Sequence, residues 1–138
     1  MADSVRKVKY CYVMVPNRAG SGAKLLAAFK EAGVNLTGLV AFPGKKGKAQ
    51  VDLVAQDMGA VRRVAGKSGL RLSKIKKGFL VQGTDQVGAC HRQLQKLADR
   101  KISITAAQAL SAGKGRYAMI LWVKAKDYNR AAKALRAK

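Results

Sequence analysis

The chain has 138 residues, 49% of them hydrophobic, which is the size of one domain or two very small ones with apolar material for a compact core. It carries 28 Lys and Arg against 7 Asp and Glu, a net charge of +21, and a field of that size attracts polyanions whatever the fold. No apolar run reaches the ~18 residues of a membrane span, residues 1–9 (MADSVRKVK) lack an apolar leader, and the expected location is the cytosol.

Residues 8–15 (VKYCYVMV) read as a strand rich in β-branched and aromatic residues. Leu25, Leu26, Phe29 and Ala32 fall at helical spacing within 20–32, and Gly33 reads as the residue that ends that helix. Residues 36–42 and 49–55 read as strands around a turn at 43–47 (PGKKG). Residues 57–67 read as a second helix capped by Asp57. Residues 71–82 read as two short strands joined near Lys77-Gly78.

The pattern then restarts. Gly88 stands where Gly20 stood, 68 positions later, and at that offset Leu26 meets Leu94, Phe29 meets Leu97, Val34 meets Ile102 and Thr37 meets Thr105. Lys46-Gly47 meets Lys114-Gly115 and Leu53 meets Leu121, and two extra residues bring Asp57 into register with Asp127. The chain is an internal duplication with expected halves 1–76 and 77–138. Each half reads β-α-β-β-α-β, an order that gives an antiparallel sheet with both helices on one face. The expected class is α+β: two ferredoxin-like units in tandem, the second ending at a helix over 127–137 and lacking its last strand.

The residue types narrow the chemistry. Cys11 and Cys90 have no paired spacing and make neither a disulfide framework nor a zinc site. His91 is the single histidine, Glu31 the single glutamate, and no carboxylate pair has acid–base spacing, so neither catalysis nor a metal or cofactor is expected. Val81-Gln82-Gly83 resembles a phosphate loop of the acylphosphatases, but Thr84-Asp85-Gln86 follows it, and an aspartate repels phosphate.

A strand, then Asn17-Arg18-Ala19-Gly20, then an amphipathic helix closing on Gly33-Val34-Asn35-Leu36, resembles the ACT domain family. Asn17, Gly20, Gly33, Asn35 and Leu36 match the family's pattern, and Ala19 stands in place of its proline. The resemblance covers both halves, roughly 8–76 and 78–137. It implies domains that pair side by side and bind effectors, commonly amino acids, where they meet. By position it places the effector near Asn17, Arg18, Ala19 and Gly20 of one domain and Asn35 and Leu36 of a neighbour, in a homodimer. The second half carries Asp85 at the Asn17 position and Ser103 at the Asn35 position, so Asp85, Gly88, Ser103 and Ile104 form a second, chemically altered candidate set.

The rival expectation is a basic nucleic-acid-associated protein on the same scaffold. RNA-recognition domains share the element order and stack bases on aromatic residues of one sheet face. Here Tyr117 and Trp122 are five apart and point to opposite faces, which disfavours a sequence reader. Binding to a phosphate backbone needs no aromatic platform. Lys45, Lys46 and Lys48, Lys114 and Arg116, Arg62, Arg63 and Lys67, and Arg130, Lys133 and Arg136 form basic clusters that call for a polyanion or an acidic protein as partner.

Overall fold

The computed structural model describes residues 3–138. Its elements run β1 (Ser4–Pro16), α1 (Ser21–Glu31), β2 (Gly38–Pro43), β3 (Lys48–Ala55), α2 (Met58–Ser68), β4 (Lys76–Thr84), α3 (Ala89–Asp99), β5 (Ile104–Gly113), β6 (Arg116–Val123), a 3-10 turn (Ala125–Asp127) and α4 (Tyr128–Leu135). The fold is α+β, and the pairs β1–β3, β2–β3, β4–β6 and β5–β6 are all antiparallel.

The residues gather into two compact units, one made of 9–76 and the other of 3–8 together with 77–138. In the first, strand order is β2-β3-β1. Alternation puts Cys11, Val13 and Val15 of β1 and Val51, Leu53 and Ala55 of β3 on one face. That face is covered by Leu25 and Phe29 of α1 and by Met58, Val61 and Val64 of α2. At roughly 25 cal/mol per Å² of apolar surface, this burial is what holds the two short helices in place.

In the second unit β4, β6 and β5 lie in that order. Phe79, Val81, Tyr117, Met119, Leu121 and Val123 face Leu97 of α3 and Tyr128, Ala131 and Leu135 of α4. Tyr128 stacks on Phe79 with ring centroids 4.7 Å apart and donates its hydroxyl to Gly78 O at 3.2 Å. The strand missing from the second half of the sequence is supplied by the chain's first residues. Lys7 N donates to Lys138 O at 2.9 Å, Lys138 N donates to Val5 O at 3.0 Å, and Val5 is buried in this unit's core. Residues 3–8 therefore group with 77–138, although the sequence reads them as the start of the first half. A strand of 13 residues extends some 43 Å at about 3.3 Å per residue, enough to serve two ladders in succession.

Two expected boundaries differ. The join at Lys77-Gly78 is the interior of β4, and the break lies earlier, where Leu72 forms a lone bridge to Val13 and Tyr12 N donates to Ser73 Oγ. Gly78 is small because a Cβ there would come within 3.2 Å of the Trp122 indole; it marks close packing, which in sequence resembles a turn. The helix expected over 127–137 is the 3-10 turn followed by α4, which stops where Arg136 turns left-handed at φ 54°. Among the described residues, no helix is long and apolar enough to cross a membrane.

Candidate functional site

The loop after β1 is fixed at both ends. Asn17 N donates to Gly47 O in the β2–β3 turn at 2.8 Å, and Gly20, at φ +88°, turns the chain into α1. No side chain caps α1, so its first amide groups face the loop with their partial positive charge. Arg18, Ala19 and Gly20 line one cleft of about 580 Å³ with Ser21 and Lys24 from the first turn of α1, and with Met14, Leu25, Ala28 and Leu70. Its charged groups, Arg18 and Lys24, are both cations.

Asn35 lies elsewhere. It lines a cleft of about 740 Å³ with Glu31, Gly33 and Thr37, Gln56 and Asp57, and Arg63 and Lys67 of α2. The eleven residues of α1 separate the two places by roughly 16 Å at 1.5 Å per residue, so one small molecule cannot touch both within this unit. The side chains of Asn17 and Asn35 are exposed and, among the described residues, no protein group hydrogen-bonds either one. Leu36 packs half-buried against the core. The Asn35 cleft presents both signs of charge, Glu31 and Asp57 against Arg63 and Lys67, beside neutral hydrogen-bonding groups. Asp57 is partly committed, since its carboxylate accepts Ala60 N at 3.0 Å and caps α2. Lys24, Gln56, Arg63 and Lys67 were not among the residues singled out from the sequence as effector contacts; Lys24 lies in the first turn of α1 beside the Asn17–Gly20 loop, whereas Gln56, Arg63 and Lys67 come from β3–α2 and no motif marks them.

The second unit repeats the frame and changes the contents. Asp85 N donates to Gly115 O at 2.9 Å, as Asn17 does to Gly47, and Gly88 turns the chain into α3 at φ +81°. Asp85 and Gly88 line a cleft of about 290 Å³ with Cys90, His91, Ser111 and Tyr117. Ser103 and Ile104 are outside it: Ser103 is exposed, and Ile104 packs on the core.

Beside this smaller cleft Tyr117 meets a buried carboxylate. Asp3 accepts Tyr117 Oη at 3.0 Å, Gln93 Nε2 at 2.7 Å and Arg92 Nη2 at 3.1 Å. Burial pushes the Asp3 carboxyl upward, but hydrogen bonds from Gln93 and Tyr117 and the Arg92 charge outweigh it, and the net direction is down. Burial, together with the Asp3 charge, pushes the Tyr117 phenol up to about 12. Cys11 is buried, which raises its thiol, and Cys90 is half-buried; both are free. Among the described residues, no group of three or more His, Cys, Asp or Glu is placed to hold a metal ion.

No family model matches the chain, and no curated protein does. Solved structures do. The protein BT0572 from Bacteroides thetaiotaomicron superposes with a TM-score of 0.79 at 13% identity, over 96% of this chain and 88% of that one. The ligand-free regulatory subunit of aspartate kinase from Thermus thermophilus gives 0.64 at 13% identity, over 99% and 95%. A putative C-terminal regulatory domain of aspartate kinase from Porphyromonas gingivalis W83 gives 0.61 at 15%, over 97% and 93%. The fold is ACT-like. At these identities the likeness speaks for the fold alone, and two of these three neighbours are regulatory pieces of an enzyme rather than catalytic ones.

Proposed function

We propose that this ACT-like chain is a regulatory module that binds an amino acid in the Asn35 cleft. The observation that carries this is the lining of that cleft: Glu31 and Asp57 suit an ammonium group, Arg63 and Lys67 suit a carboxylate, and Asn35 and Thr37 supply neutral hydrogen bonds. A zwitterion needs both signs within one small volume, and the Arg18–Lys24 cleft offers only cations. The Asn17–Gly20 loop, tied to the β2–β3 turn by the Asn17–Gly47 hydrogen bond, closes the cleft from a second copy of the chain, which makes the working form a homodimer. Aspartate kinase regulatory domains of the same fold support a regulatory role. Occupancy would bias pairing with a second copy or with an enzyme partner, and the chain itself would carry out no reaction.

A thermal-shift screen against the common amino acids tests this reading, because a ligand bound to the native state at a hundred times its Kd stabilises it by roughly 2.7 kcal/mol. At least one amino acid should raise the melting temperature of the wild type, and Asn35→Ala should abolish that rise without changing the unliganded melting temperature. A flat screen sinks the reading.

A further inference from the structure

We propose that the end of the 9–76 unit formed by the β2–β3 turn, the loop after β1 and the first turn of α1 binds nucleic acid through the phosphate backbone, without reading its sequence. Five exposed cations meet there. Lys45 and Lys46 occupy the turn and Lys48 opens β3; Pro16 pairs with Lys48 across the ladder; the Asn17–Gly47 hydrogen bond brings Arg18 to the same end, and Arg18 shares its cleft with Lys24.

None of the five has an acidic partner among the described residues, where the ion pairs belong to Arg63, Arg92 and Arg130. The three acids of this unit are committed elsewhere. Asp52 is buried and bonded by Gln50, Asp57 caps α2, and Glu31 lies at the far end of α1.

The backbone shows that this charge is retained at a cost. Lys46 and Gly47 adopt φ +56° and +70°, the two left-handed residues of a hairpin turn for which Asn-Gly or Asp-Gly is the favoured solution. Asn would relax the turn without charge and Asp would reverse the charge; the chain uses Lys. The β5–β6 turn repeats the choice, with Lys114 at +56° and Gly115 at +71°. Every left-handed non-glycine among the described residues is Lys or Arg: Lys46, Lys101, Lys114 and Arg136.

A small anion would neutralise two or three charges and leave most of the +21 uncompensated, whereas a polyphosphate chain releases counterions along its whole contact. Four of the five cations are lysines, flexible point charges suited to a backbone met in many registers; a planar carboxylate on an acidic protein favours arginine forks. Base stacking on β6 is unavailable because Tyr117 and Trp122 are 4% and 7% exposed. The contact is therefore electrostatic and indifferent to sequence.

Fluorescence anisotropy of the full chain against labelled DNA duplexes and single-stranded RNAs of about 20 nucleotides, in two unrelated sequences each, tests this between 50 and 200 mM salt. Both sequences of a given type should bind within about twofold of each other, with a steep linear fall of log K against log salt. The variant Lys45→Gln/Lys46→Asn/Lys48→Gln should reduce the magnitude of that slope by about 2 to 3, and Lys46→Asn alone by about 1. Because Asn suits the left-handed position, Lys46→Asn should melt no lower than wild type, which separates lost charge from lost fold. DNA binding with no RNA binding, or the reverse, still supports a phosphate-backbone site and assigns the polymer. Absence of binding to both at 50 mM salt overturns the proposal. So does a slope unchanged in the triple variant, or equal affinity for polyglutamate or for anionic lipid vesicles. The variants leave Asn17, Arg18 and Asn35 intact, so an amino-acid thermal shift survives or fails independently of this result.

Discussion

The side chain of Asp3 and the residue Asp52 are both buried, and the two carboxyls respond to acid in opposite directions. Burial raises the Asp52 carboxyl; its Gln50 hydrogen bond and the nearby Lys76 charge oppose that shift without cancelling it. Asp3 is held below its ordinary value of 3.8 by donors that outweigh the same burial. A carboxyl with a depressed folded pKa contributes stability that is present above its unfolded value and is lost as pH falls through the folded one. Asp3 should therefore begin to lose its contribution below about pH 4. Asp3→Asn should lower stability by about 1.5–3 kcal/mol at pH 7, the range for hydrogen bonds to a charged group. The gap between variant and wild type should narrow as pH falls toward 3, in chemical denaturation followed across pH. A gap that stays constant would mean the carboxylate charge contributes nothing. Gly83 belongs to the same arrangement, since a Cβ there would collide with the Asp3 carboxylate.

At the scale of elements, the duplication is most visible in the strand-to-helix turns. Gly20 and Gly88 enter their helices at φ +88° and +81°, and a Cβ on either would meet nothing within 4 Å. The cost of alanine is then purely conformational, about 1–2 kcal/mol at each position. Gly20→Ala and Gly88→Ala should destabilise by similar amounts, read as equal shifts of urea midpoint at unchanged slope. Unequal shifts would show that one glycine serves something beyond the turn. Both turns were legible because the constraint is local: a glycine, a fixed spacing and an apolar helical stripe. Asp57 as a cap was legible for the same reason. Gly78 was not, because its demand comes from Trp122 on another strand, 44 positions away in the sequence. The candidate site was legible in halves. Asn35 and the Arg18–Gly20 loop were each marked by the family resemblance, and the structure lines two separate clefts with them. The charged neighbours of Asn35 on α2 come from a different part of the chain and had no motif to announce them.

At the scale of the whole molecule, the least legible feature is the dual membership of β1. Residues 9–16 form a continuous ladder with β3, from Lys9 opposite Ala55 to Pro16 opposite Lys48. Residues 3–8 serve the other unit through three attachments: Val5 in the core, the hydrogen bonds of Val5 and Lys7 with Lys138, and the donors around Asp3. An alternating strand looks the same whichever sheet it joins, so nothing within residues 3–16 marks the handover. Removal of residues 1–8 should act on one unit selectively. It strips Val5 from a core that includes Phe79, Val81 and Leu97, and leaves the buried Gln93 and Tyr117 donors without their acceptor. Hydrogen exchange should accelerate at β4, α3 and β6, the elements holding those groups, while the β1–β3 ladder keeps its protection because its pairing begins at residue 9. A uniform loss of protection across β3 and β6 alike would show that the chain opens as one cooperative body and that the division at residues 8 and 76 has no energetic meaning.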